Sequence, residues 1–176
     1  MRRYLKILQS FENCWKILFT MKASIVINAK NALCDIEEIL NSLLNQTFSD
    51  FEVIVVDSES TDGTIEVVKK YIDIFKDRLI LHIEECSIGR GRQIGAELAR
   101  TELIFYLDSD CIPPKDWFER FYNDFVEKGC DILFGKVKTY PDKGFFYRCV
   151  GALYESVYNE AGELNLTRYG NVGRGG

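Results

Sequence analysis

Four short runs of almost unbroken apolar residues constrain this chain more than anything else in it. They are ASIVI (23–27), FEVIVV (51–56), RLILHI (78–83) and ELIFYL (102–107). Between them, apolar residues recur at helical spacing: Ile36, Ile39, Leu40, Leu43 and Leu44 within 34–45, then Ile65, Val68, Ile72 and Phe75 within 64–75. Residues 91–100 form a third helical pattern and residues 115–127 a fourth, with Pro114 placed for its first turn and Gly129 for its end. A strand that is apolar at every position must be covered on both faces, and a helix between successive strands supplies the crossover that parallel pairing needs. With right-handed crossovers, the expected fold is α/β, a doubly wound, mostly parallel sheet. A further strand is expected at DILFG, 131–135. At 176 residues and 47% hydrophobic, the chain is long enough to bury one real core.

In such a sheet, ligands bind beyond the carboxyl ends of the strands. Three polar segments fall there: 28–31, 57–63 and 108–110. The last, within YLDSDCIPP (106–114), sets Asp108 and Asp110 on either side of Ser109. Two carboxylates one residue apart repel each other and lose hydration near a core, so the pair is stable chiefly with a cation between them. A divalent ion on oxygen ligands, bridging to phosphate, meets that need. A plain strand-ending turn meets the composition equally, since Asp and Ser favour turns and Pro113 and Pro114 follow. The motif alone leaves both readings open.

Net charge is −5, which argues against general affinity for nucleic acid. Six cysteines with no CxxC pair, and one histidine, argue against a zinc site or a disulfide framework and point to a reducing, cytoplasmic setting. His82 lies inside an apolar run and is read as structural. No apolar run is long enough for a transmembrane helix. Residues 1–20 form an N-terminal extension in which Tyr4, Leu8, Phe11, Trp15 and Leu18 share a helical face among four basic residues. That pattern suits peripheral contact with an anionic membrane, packing on the domain itself, or a leader ahead of Met21. The domain proper is read as 21–176.

SIGRGRQIG (87–95) holds glycines 89, 91 and 95 after a strand and before a helix, with Asp108 closing the next strand. That is close to a dinucleotide-binding fingerprint. The fingerprint belongs to the first βα unit of its domain, however, and here two units precede it. The acid is also half of a pair rather than single.

Taken together, residues 23–135 resemble a GT-A-fold, family 2 glycosyltransferase. SIVINAKN (24–31) stands where that family has a strand ending in Pro-x-Tyr-Asn or similar. VIVVDSESTDGT (53–64) matches its second strand and following turn, GRQIG (91–95) its Ala-Arg-Asn-x-Gly, and YLDSD (106–110) its DxD segment. The resemblance implies a glycosyltransferase of inverting mechanism with a UDP- or GDP-sugar donor, Mn²⁺ or Mg²⁺, and a sugar or lipid-linked acceptor. It implies that Asp57 reads the base edge, that Arg92 lies near the nucleotide, that Asp108 faces the ribose and that Asp110, with Asp108, holds the metal. Ala29, Asn31, Ser58 and Ser109 fall with them in the donor site. Asp62, Gly63 and Thr64 are read as a turn and helix start.

The sequence departs from the family in three ways, the smallest being Gln93 in place of an asparagine. Asn28, Ala29 and Lys30 replace the usual Pro-Thr-Tyr, removing a hydroxyl near the base. The chain ends at NVGRGG (171–176), where the family continues into its acceptor half and catalytic base, so a truncated acceptor side is expected. Glu160 and Glu163 are the remaining weak candidates for the base. The apolar face of 144–162 is then expected to be partly bare and to favour self-association. The alternative reading is a non-catalytic or partner-dependent nucleotide-sugar-binding module.

Overall fold

The computed structural model describes residues 21–129, 131–133 and 135. The N-terminal extension, the segment 144–162, Glu160 and Glu163 lie outside the described residues. The chain divides into two compact units, Met1–Phe118 and Glu119–Gly176.

In the first unit, each apolar run becomes a strand: β1 (Ala23–Ala29), β2 (Phe51–Asp57), β3 (Leu79–Ile83) and β4 (Ile104–Asp108). They pair in the order β3-β2-β1-β4, parallel throughout. Helices α1 (Leu33–Leu44), α2 (Thr64–Phe75), α3 (Ile88–Leu98) and α4 (Trp117–Lys128) follow the four strands, with a short 3₁₀ turn at Lys76–Arg78. The chain adds strands on one side of β1 and then returns to place β4 on the other side. The switch in direction therefore falls between β1 and β4, where an open sheet of this kind leaves a crevice at its carboxyl edge.

Successive side chains on a strand point to opposite faces. Val26, Ile54 and Val56 form a buried cluster with Ile94 of α3. The helix lies unusually close to the sheet there, and the glycines of GRQIG explain how. A Cβ on Gly95 would sit 2.2 Å from Val26 Cγ1, and one on Gly91 would sit 2.9 Å from Asn28 Oδ1. These glycines stand inside a helix whose N-cap is Ser87, with Ser87 Oγ accepting from the Arg90 N–H at 3.3 Å. They serve helix–strand contact and not a phosphate loop. On the other face, Ile25, Ile27, Val53 and Val55 are fully buried. Phe118 belongs to that face, edge-on to Phe51 at 4.8 Å and to Phe105 at 5.3 Å.

The amino edge of the sheet is closed by a buried polar network. Glu52 is 0% exposed. Its carboxylate accepts from Ser24 Oγ (2.6 Å), the Arg100 N–H (2.7 Å) and Arg100 Nε (2.5 Å).

Three sequence expectations need correction. Asn28 and Ala29 are not loop residues: they pair with Val56 and Asp57, because a central strand flanked on both sides is drawn into the ladder to its end. The third helix starts at Ile88, three residues before the expected 91. DILFG is not a strand where it is described. Asp131–Leu133 and Gly135 carry no strand assignment and Ile132 is 57% exposed, and no strand among the described residues pairs with them. In the second unit, Gly129 takes φ +57 just after α4 and its N–H donates to the Phe125 carbonyl at 3.1 Å, the helix stop expected of it. No helix among the described residues is long and apolar enough to cross a membrane.

Candidate functional site

Four segments meet at the carboxyl edge of the sheet around a cleft of about 240 Å³. The end of β1 contributes Asn28, Ala29 and Lys30. Val56 comes from β2 and Ser58 from the turn after it, Cys86, Ser87 and Ile88 from the approach to α3 and its first residue, and Ser109 from the turn after β4. Ala29, Ser58 and Ser109, expected from sequence in the donor site, all line this cleft. Lys30, Cys86, Ser87 and Ile88 were not placed in the site from sequence. The signal for Lys30 was its position one residue past a strand whose neighbours were chosen. For Cys86–Ile88 it was the same position after β3, obscured by the glycine pattern that follows.

The turn after β2 is held together internally. Asp57 is 0% exposed, and its two oxygens accept from the Ser60 N–H and Ser60 Oγ, each at 2.7 Å. Ser60 Oγ in turn accepts from the Asn31 N–H at 2.8 Å, and Asn31 Oδ1 accepts from the Thr61 N–H at 3.0 Å. Asn31 has φ +52, a conformation that Asn tolerates better than most residues. Ser58 Oγ both donates to the Cys86 carbonyl and accepts from the Cys86 N–H, each at 3.0 Å, which ties β2 to the approach to α3. Asp62 caps two helices at once: Oδ1 accepts from Thr64 Oγ1 (2.6 Å) and the Thr64 N–H (3.0 Å), and Oδ2 from the Leu33 N–H (3.0 Å). Those bonds, the Thr64 hydroxyl foremost, hold the Asp62 carboxyl below its ordinary value. Gly63 at φ +103 gives the turn its left-handed step. The reading of 62–64 as a turn and helix start agrees with this geometry. Of these residues Ser58 lines the cleft, whereas Asp57 and Asn31 do not, and the polar contacts found for all three hold the loops together.

The turn after β4 is built differently. It closes through the Cys111 N–H donating to the Asp108 carbonyl at 3.1 Å. The segment beyond it is strapped to the end of α1: Gln46 Nε2 donates to the Pro114 carbonyl at 2.8 Å, Gln46 Oε1 accepts from the Phe118 N–H at 3.0 Å, and the Thr47 N–H donates to the Lys115 carbonyl at 2.8 Å. On that anchored turn Asp108 and Asp110 are both exposed, and their carboxylates with the Cys111 thiol could supply ligand atoms within 4.8 Å of one another. Burial first, then the charge of Asp110, pushes the Cys111 thiol up to about 11, so at neutral pH it stays protonated. What the turn offers a cation is therefore carboxylate oxygen, the hard donor that fits Mg²⁺ or Mn²⁺. Arg92 reaches across from α3 to Asp108, Nη2 to Oδ1 at 3.0 Å, with its guanidinium 5.8 Å from the Tyr106 ring centroid. His82 pairs with Glu84 at 3.1 Å and does not line the cleft.

An α/β sheet with a cleft at its switch point and an open acidic turn beside it places the ligand site of this class of domain at that edge. The family model for Glycosyl transferase family 2 matches residues 24–172, so the chain belongs to that family. Its α/β architecture is the GT-A fold of the solved structures it resembles. Among its relatives, glycosyltransferase AglE of Haloferax volcanii is 34% identical over 126 residues, covering 69% of this chain and 41% of the relative. The structure of Staphylococcus aureus TarS 1–349 in complex with UDP is 32% identical with a TM-score of 0.62, covering 71% of this chain and 38% of that one. Mannosyltransferase PcManGT from Pyrobaculum calidifontis, in complex with GDP-Man and Mn²⁺, is 25% identical with a TM-score of 0.53, covering 75% and 39%. The chain thus spans less than half the length of these relatives.

Proposed function

We propose that this chain forms the donor side of a metal-dependent, inverting glycosyltransferase that takes a UDP- or GDP-sugar and passes the sugar to a sugar or lipid-linked acceptor. The observation that carries the reading is the pairing of the cleft at the β1/β4 crevice with the open Asp108/Asp110 turn at its rim. The complexes of TarS with UDP and of PcManGT with GDP-Man and Mn²⁺ support it by likeness. In this reading Ala29, Ser58 and Ser109 floor the nucleotide site, Asn31 and Asp57 hold its loops in register, and Asp110 with Asp108 holds Mn²⁺ or Mg²⁺. The ion, when bound, neutralises charge on the departing nucleoside diphosphate. Inversion requires an acceptor hydroxyl to attack the anomeric carbon opposite the breaking bond to the diphosphate, while a base takes the hydroxyl proton. Glu160 and Glu163 are the first residues to test for that role. In this reading residues 21–176 are the transferase domain, in the cytoplasm, and 1–20 are an N-terminal extension suited to peripheral membrane contact, to packing on the domain itself, or to a leader ahead of Met21.

A thermal-shift panel tests the reading. Some nucleoside diphosphate or its sugar, with Mn²⁺, should raise Tm by linkage, while NAD and NADP should not. A shift with NADP and none with any nucleoside diphosphate would overturn it. Binding without sugar transfer would favour the alternative of a non-catalytic or partner-dependent module.

A further inference from the structure

We infer that Arg92 is a positioning residue that pairs with Asp108 and gives it up when cation and nucleotide arrive together, so that the two ligands load cooperatively. This rests on the donor-site reading above and goes beyond it by stating how the site fills.

The charges set the problem. Asp108 and Asp110 together present two negative charges, but Arg92 Nη2 already stands 3.0 Å from Asp108 Oδ1. The partner found for the Asp110 carboxylate is the Cys111 thiol, at 3.5 Å, which carries no positive charge. A divalent cation approaching alone meets one open carboxylate, one that is already paired, and a guanidinium that repels it. Releasing Asp108 then strands the guanidinium without an anion. A diphosphate changes this balance, because its oxygens suit a planar guanidinium fork at least as well as a lone carboxylate does. The nucleotide thus gives Arg92 a new partner and leaves Asp108 free for the cation.

The mechanical side is also in place. Gly91 and Gly95 press α3 against Asn28 and Val26, so the backbone that carries Arg92 is fixed to β1. Tyr106 Oη donates to the Arg92 carbonyl at 3.4 Å, and its ring lies beside the guanidinium. The Arg92 side chain is 46% exposed, so only its outer atoms need to move, along the Tyr106 face. Coupling of this kind is reciprocal: whatever factor nucleotide adds to cation affinity, cation adds to nucleotide affinity.

Calorimetric titration of the full chain tests this, with Mn²⁺ alone, UDP or GDP alone, and both together, for wild type, Arg92→Gln and Arg92→Lys. Wild type should bind Mn²⁺ weakly alone and roughly fivefold or more tightly with the nucleotide. Arg92→Gln should bind Mn²⁺ alone more tightly than wild type while the nucleotide's effect on Mn²⁺ shrinks, and Arg92→Lys should keep part of the coupling. A purely structural role predicts the opposite, weaker Mn²⁺ binding by Arg92→Gln. That result, or equal Mn²⁺ affinity in the two proteins, overturns the inference. If wild type binds no nucleoside diphosphate at all, the donor-site reading fails on its own. The Mn²⁺-only comparison then still decides whether Arg92 restrains the acidic turn.

Discussion

Glu52 and Asp110 are both carboxylates at the margin of the same sheet, and the protein treats them in opposite ways. Glu52, at the amino edge, is fully buried, and its oxygens accept from Ser24 and from the backbone and side chain of Arg100. Asp110, at the carboxyl edge, is exposed and has a thiol as its neighbour. A closed acid stabilises the fold and is out of reach of ligand. An open acid adds little to packing and remains available for a ligand. Asp57 makes the contrast more than a matter of edges: it stands at the carboxyl end, where function is expected, yet Ser60 occupies both its oxygens. Satisfaction by the protein's own donors therefore separates the two kinds of acid better than position does.

The largest effect should come from the amino edge. Glu52→Ala removes the partner of a part-buried guanidinium and of the Ser24 hydroxyl, and should cost about 3–5 kcal/mol in urea unfolding. A cost below about 1 kcal/mol, the range of exposed pairs, would break the comparison at its closed end. Next in size is Asp57→Ala, which leaves the Ser60 N–H and hydroxyl without their acceptor and should cost about 2–3 kcal/mol. Unchanged stability together with altered preference between UDP and GDP would instead move Asp57 among the open, ligand-reading acids.

Asp110→Asn should change stability by less than about 0.5 kcal/mol, as is usual for exposed sites. It should at the same time abolish any Mn²⁺-dependent part of nucleotide binding measured by titration. Retained metal dependence would remove Asp110 from the cation site. Comparable losses of stability in Asp110→Asn and Asp57→Ala would remove the distinction between the two turns.

The sheet was legible because its strands are apolar at every position, a pattern that few other arrangements can bury. The placement of Ser109, Asp108 and Asp110 at its carboxyl edge followed from strand ends alone. What sequence could not supply was the hydrogen-bond state of each acid. DSEST and DSDC look alike as strings, and only the folded chain reveals that Ser60 folds back on Asp57 with two bonds of 2.7 Å while the partner found for Asp110 is the Cys111 thiol at 3.5 Å. The glycines of GRGRQIG were ambiguous for a related reason. A glycine needed for close helix–strand contact is indistinguishable in sequence from one that admits a phosphate, until Val26 is found 2.2 Å from where its Cβ would be. DILFG failed because strand formation depends on a neighbouring ladder that the run itself does not encode.

Asp62 offers the finest test, because it is only half-buried yet held by three protein donors. Its carboxyl lies below its ordinary value, first through the Thr64 hydroxyl and then through the Leu33 and Thr64 N–H groups, with desolvation opposing them. A folded-state value depressed below the unfolded one gives stability that is fully present above the unfolded value of about 4 and is lost as pH falls through the folded value. Asp62→Asn should therefore lower Tm slightly at pH 7, and the gap between variant and wild type should narrow steadily below pH 4. The loss should be smaller than for Asp57→Ala at every pH, since water can replace the missing acceptor at a half-buried cap but not at a buried turn. Parallel Tm curves for wild type and Asp62→Asn from pH 7 to pH 3 would mean that the cap geometry contributes nothing through its charge. Asp62 would then behave as Asp110 does, an open acid that happens to lie within reach of donors.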